Sequence, residues 1–315
     1  MTLHLRSASL SNYGELARSL GLDPVQMLAG VGLPPACLDN ADLRVSADAV
    51  MELLERSAQL SGEQAFGLRL AQTRRLSTLG LVGMLARDEP TLREAIATLV
   101  RYGRQHNESL MARLDESNGI AVITQELLVA PSGGRQSIEL AVGAVHRILR
   151  LLLGPDWSAR TVSFTHPAPV NLDVHHRLFG RAVRFSQEFN GIVLRSTDLD
   201  TPMAMADPVM RGYAHQMLAE ATPTEATRHD VQHIILALLP TGRCNADQVA
   251  LHMGVDRRTV HRRLAREGCS FSQLLQQTRQ ELMARHLNGG RRLSDIASLL
   301  GFGSLSAFSR WRRTH

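Results

Sequence analysis

Apolar residues recur at helical spacing in four stretches of the first 200 positions: Tyr13–Leu20, Ser46–Gln59, Pro90–Arg104 and Gln136–Leu153. In the last of these, Ile138, Val142, Val145, Leu149 and Leu152 mark one helix face. Strand-like runs at Leu110–Leu114 and Ile120–Glu126 are joined through Glu116-Ser-Asn-Gly119, residues suited to a hairpin turn. Thr161–His166, Val183–Phe185 and Gly191–Arg195 read as further strands. Helices and strands mix without a repeated βαβ order, which predicts an α+β domain over residues 1–217. Residues 218–227 are polar with Pro223 near the middle, the pattern of a linker. From Arg228 to His315 the chain reads as short helices with tight turns, an all-α domain.

Two segments of that all-α part superimpose. Val249, Ala250, Gly254 and Val255 match Ile296, Ala297, Gly301 and Phe302 at a constant offset of 47. With one residue inserted, Asp256, Val260 and Arg262 match Ser304, Phe308 and Arg310 at 48. Each matched position has a physical reason. The alanine lets two helices cross closely, and the glycine ends the first by turning left-handed. Asp256 and Ser304 can cap the second helix by accepting from its free backbone N–H groups. Val260 and Phe308 anchor that helix, leaving its other face free to enter a major groove. Between the copies, Ser270–Leu287 reads as one helix, capped by Ser270, with Phe271, Leu274, Leu275, Thr278 and Leu282 as its apolar stripe. A rigid helix of this kind would set two recognition helices about 34 Å apart, one turn of DNA.

Charge follows the same division. From residue 241 onward 13 Arg stand against 5 acids, a balance of +8, whereas the preceding 240 residues carry −3. A basic module on a mildly acidic body is the footprint of nucleic-acid binding. The basic side chains are all Arg and none is Lys, which reads as base composition of the genome and carries no functional weight. Aromatics make up only 4% of the chain, so aliphatic side chains must fill the cores. No apolar run reaches the roughly 18 residues of a membrane span, and the N-terminus lacks a basic, then apolar, signal pattern. Cys37, Cys244 and Cys269 are odd in number and widely spaced, as expected of reduced thiols in a cytoplasmic protein.

The last ~85 residues resemble the DNA-binding domain of the AraC/XylS family of bacterial regulators. The resemblance rests on Ala250…Gly254-Val-Asp-Arg-Arg-Thr-Val-His-Arg-Arg-Leu264, then Phe271…Arg279-Gln-Glu-Leu282…Leu287, and most on Leu293 through Arg310. It implies seven helices in two subdomains, promoter binding, and activation through contact with RNA polymerase. By position it implies that Arg258, His261 and Arg262 face DNA from the first recognition helix. Leu305, Ser306, Ser309 and Arg310 do so from the second, and Arg257 and Ser304 complete the candidate set. The first ~210 residues resemble the arabinose-binding type of effector domain of long AraC-like regulators. The stretches that carry this are Leu79–Leu85 with Thr91–Ala95, Val162–Pro169, Phe179–Phe185 and Asn190–Leu194. It implies sensing of a small molecule, whose identity and pocket the resemblance leaves unnamed, and a homodimer.

One position departs from the family. The offset that pairs Leu264 with residue 312 calls for an apolar side chain, yet Arg312 stands there, and the chain stops at His315 where relatives continue through a further short helix. Either the chain is truncated or one residue has been lost and Trp311 is the anchor. The second recognition helix is therefore expected to be incomplete or frayed.

Other chemistry is sparse. His229 and His233 have a spacing that zinc can use, but no third ligand follows, and His166 with His175-His176 is no stronger. Cys269 beside basic residues reads as a loop cysteine. No nucleophile elbow, phosphate loop or metal helix is present, so neither an enzyme nor a cofactor is expected. The sequence thus predicts an effector-controlled regulator of transcription. The alternative is a constitutive DNA binder whose N-terminal domain serves protein interaction or oligomerisation.

Overall fold

The computed structural model describes residues 3–128, 134–204, 206–221, 226–242, 244–253, 255–288 and 292–314. They divide into two units, Thr2–Ala219 and Glu220–His315.

The N-terminal unit begins with β1 (His4–Arg6), α1 (Tyr13–Ser19), α2 (Pro24–Ala29), β2 (Arg44–Ser46) and α3 (Ala47–Ser61). It continues through α4 (Phe66–Ala71), α5 (Leu81–Arg87), α6 (Leu92–His106), β3 (Leu110–Ser117), β4 (Ile120–Leu127) and α7 (Arg135–Leu153). The remaining elements are β5 (Thr161–Ser163), α8 (Asp173–Phe179), β6 (Val183–Arg184), β7 (Asn190–Arg195) and α9 (Pro208–Ala221). β1 and β2 pair antiparallel, and the other five strands form a sheet ordered β3-β4-β7-β5-β6. Among the described strands only β5 and β6 run parallel. The predicted hairpin is present: Ser117 faces Ile120 across the turn, with Asn118 at φ 51° and Gly119 at φ 75°.

Two cores follow from these elements. Leu10, Tyr13, Leu28, Leu53, Leu54 and Phe66 pack α1 to α4 together. Ile123 on β4 and Ile192 and Leu194 on β7 meet Ile138, Val142 and Leu149 of α7, together with Phe164 and Phe179. The α+β class expected from the sequence is the one that forms. Two predicted strands are shorter than read and three are longer: Val183–Phe185 keeps Val183–Arg184, and Thr161–His166 keeps only Thr161–Ser163, because the chain then turns toward Pro167 and Pro169.

The polar stretch read as a linker is shared between helices. Residues 218–221 complete α9, where Leu218 is buried against Val82 and Leu85. Residues 222–225 lie outside the described residues, and 226–227 open α10 (Ala226–Leu238).

The C-terminal unit continues with α11 (Ala246–His252), α12 (Arg257–Arg266), α13 (Phe271–Asn288), α14 (Leu293–Leu299) and α15 (Leu305–Thr314). Their core joins Val231, Ile235 and Leu239 to Val249, Val260, Leu264, Leu274, Ile296 and Phe308. A polar seam runs outside it, where Arg228 Nη2 donates to Gln277 at 2.9 Å and Gln232 Nε2 to Glu281 at 3.3 Å. No described helix is long and apolar enough to cross a membrane.

Candidate nucleic-acid interface

The doubled motif folds into two units with the same hydrogen bonds. α11 and α14 bury the matched pairs Val249–Ala250 and Ile296–Ala297. Each then ends in the same six-residue turn: Val255 N donates to the Ala250 carbonyl at 3.1 Å, and Phe302 N to that of Ala297 at 2.9 Å. Gly301 adopts the left-handed conformation, φ 76°, that the turn requires. Its counterpart Gly254 lies outside the described residues. The caps correspond as well. Asp256 Oδ1 accepts from Thr259 N at 2.8 Å, and Ser304 Oγ from Ala307 N at 3.2 Å.

The Asp256 cap makes a pH-dependent contribution. The Thr259 backbone N–H, and then its hydroxyl, hold the Asp256 carboxyl below the usual carboxylate range. A depressed folded pKa adds stability above the unfolded value, lost as pH falls through the folded one. Asp256→Asn keeps the cap but should lose this acid dependence, whereas Asp256→Ala should lower the melting temperature by a few degrees near neutral pH. Thermal unfolding across an acid pH series separates the two.

With Val260 and Leu264 buried, α12 turns Arg257, Arg258, His261, Arg262, Arg263 and Arg266 to solvent. Arg257 is partly engaged within the protein: its Nη1 lies 3.3 Å from Asp247 Oδ2 on α11, and Nε donates toward His261 Nε2 at 3.5 Å. Arg262 Nη2 reaches the Thr259 hydroxyl at 3.5 Å. On α15, Phe308 and Trp311 face the core, while Leu305, Ser306, Ser309 and Arg310 are exposed. The Ser304 and Ser306 hydroxyls are 3.0 Å apart. The candidate residues therefore gather as two exposed faces, each on the helix that follows a matched turn.

The expectation of an incomplete or frayed second recognition helix is corrected. α15 is helical from Leu305 through Thr314, and Trp311 is the anchor, while Arg312 is exposed. The Trp311 ring stacks on Phe308 at 6.1 Å and tilts against Phe302 at 5.3 Å, and its indole N–H donates to Gln276 on α13. A second residue of α13 braces the same turn. Arg279 Nε donates to the Leu300 carbonyl at 3.1 Å, and its guanidinium lies 4.6 Å from the Phe302 ring centre. Burial lowers the Arg279 pKa. The sequence does not mark Gln276 and Arg279 as braces, because a polar residue on a helix reads as surface by default.

Other candidates come to little. The side chains of His229 and His233 lie outside those described. Among the described residues no three His, Cys, Asp or Glu side chains are arranged to hold a metal ion. Burial pushes the Cys244 thiol up to about 11, and Cys269 Sγ contacts the Ser270 carbonyl at 3.4 Å.

Comparison with known proteins fixes the family. Residues 21–203 match the family described as "Arabinose-binding domain of AraC transcription regulator, N-term", and residues 249–315 match "Helix-turn-helix domain". The chain belongs to the AraC family of transcription regulators. It is 33% identical to the HTH-type transcriptional regulator VirS of Mycobacterium tuberculosis over 97% of this chain and 92% of that one. It is 26% identical to the Ornithine utilization regulator of Pseudomonas aeruginosa, covering 94% and 89%. The solved transcriptional regulator CdpR of Pseudomonas aeruginosa is similar over 94% and 93%, with 21% identity and a TM-score of 0.48. This AraC-type regulator thus binds DNA through its helix-turn-helix part and carries an arabinose-binding-like N-terminal domain.

Proposed function

We propose that this AraC-type regulator is a cytoplasmic homodimer that activates transcription when a small molecule binds its N-terminal unit. The observation that carries the DNA-reading half is the pair of exposed faces on α12 and α15, each set by the same turn and cap. Arg258, His261 and Arg262 read one major groove, and Leu305, Ser306, Ser309 and Arg310 read the next. Arg257, partly held by Asp247, and Arg266 at the far end of α12 hold phosphates. Ser304 fixes the start of α15 against the backbone. Effector binding shifts the population of the DNA-competent arrangement, and the bound regulator contacts RNA polymerase.

Arg258→Ala should lower operator affinity about ten- to hundredfold and relax base preference at one position. Arg266→Ala should weaken operator and random DNA alike and flatten the salt dependence. Titrations on both DNAs at two salt concentrations test this; equal losses for both variants on both DNAs would contradict the division. A metabolite screen by thermal shift tests effector control. Stabilisation coupled to changed operator affinity is the expected result, and a constitutive regulator gives neither.

A further inference from the structure

The N-terminal unit encloses a carboxylate whose hydrogen bonding is incomplete. Glu139, in the second turn of α7, is fully buried. Its Oε1 accepts from Arg135 Nε and from His175 Nε2 on α8, each at 3.1 Å. His166 Nε2 lies 3.3 Å from the same oxygen but is not aligned for a hydrogen bond. Glu139 Oε2, His166 Nε2 and His175 Nδ1 are buried with no hydrogen-bond partner among the described residues. At the edge of this buried cluster the side chains of His166 and Arg135 are 13% and 29% exposed. Phe185 forms a wall, 5.6 Å from the His166 ring and 5.3 Å from that of His175.

The proton positions follow from the partners. The Pro167 carbonyl can only accept, so His166 Nδ1, 2.9 Å away, carries the hydrogen. Burial holds the His166 pKa below its usual value, which leaves Nε2 a bare lone pair. His175 gives its Nε2 hydrogen to the carboxylate, whose oxygen can only accept. Glu139 Oε2 and His166 Nε2 are therefore unmet acceptors. Buried acceptors without donors are rare in folded proteins and disfavoured. Arg135 reaches Glu139 through Nε, with its Nη2 turned to the Gln64 carbonyl at 2.7 Å. Glu55, whose Oε1 accepts from Gln136 N at 2.7 Å, stands nearby, and burial raises its pKa.

We infer that Glu139 and His166 recognise a small organic ammonium group, entering past His166 with its carbon chain against Phe185. This names the ligand class and place for the effector control proposed above, and rests on that reading.

The test uses the full chain with ¹⁵N-labelled histidine. Propylammonium chloride is added, against sodium propionate and propanol at matched ionic strength. The ammonium alone should move the His166 Nε2 signal and raise the melting temperature. Glu139→Gln and His166→Phe should each weaken that response roughly tenfold or more, the loss expected for one charged hydrogen bond. Silence toward propylammonium, or equal responses to propionate or propanol, overturns the inference, and this comparison needs no variant to fold. A response undiminished in folded Glu139→Gln overturns it too. If some other metabolite stabilises wild type and Glu139→Gln alike and changes operator affinity, effector control stands and this site for it falls.

Discussion

Gly301→Ala is expected to disable the second reading unit while α11 and α12 stay folded. The residue sits at φ 76°, a conformation that disfavours a side chain by about 1–2 kcal/mol. An added Cβ would also lie 2.4 Å from the Leu239 carbonyl oxygen, a backbone atom of a fully buried residue. The turn after α10 must therefore move away from α14, and the shared core opens there. The C-terminal unit should melt at least about 8 °C lower, with hydrogen-exchange protection lost first in α14 and α15. Gly303→Ala, two residues on, meets no atom within 4 Å and serves as the control. Equal melting temperatures for the two variants would show that the Gly301 turn is not a constraint.

Trp311→Ala should be the most damaging truncation on α15. It removes a buried ring that touches Phe302 and Phe308 and leaves Gln276 without its indole donor. Large aromatic truncations in cores lower stability by about 3–5 kcal/mol, a large part of the roughly 5–15 kcal/mol that holds a domain folded. Arg312→Ala, at the exposed neighbouring position, should change stability by less than about 0.5 kcal/mol. Denaturant unfolding of both variants decides which residue is the anchor. The reverse order would restore residue 312 to the role that the sequence offset gives it.

That offset shows where sequence reading succeeds and where it stops. The two helix-turn-helix units were legible because one turn geometry demands the same residues twice: a small one where helices cross, a glycine, a capping oxygen and an apolar anchor. The anchor stands one residue before the position that the offset gives it, where Trp311 joins the same buried cluster as Phe308. Long amphipathic helices such as α3, α6 and α7 declared themselves by period. α4 did not, since five of its six residues are buried and no polar face remains to set a period. β1 and β2, three residues each, are too short to alternate. In α9 the pattern is blurred by Val209, Tyr213 and Met217, which are exposed beside the buried Ala214 and Leu218. Glu139, His166 and His175 come together only through the packing of α7 against the β5–α8 segment, which local pattern cannot foretell.

The central claim is that two like helices read successive grooves from one face of the duplex. Its most direct test is binding of the full chain to sites it selects from random duplex DNA, measured before and after inserting five base pairs mid-site. Five base pairs rotate one half-site by about half a turn of the duplex. The account predicts two short preferred blocks about ten base pairs apart, and an insertion that lowers affinity at least about a hundredfold. A single preferred block, or affinity unchanged by the insertion, would contradict it.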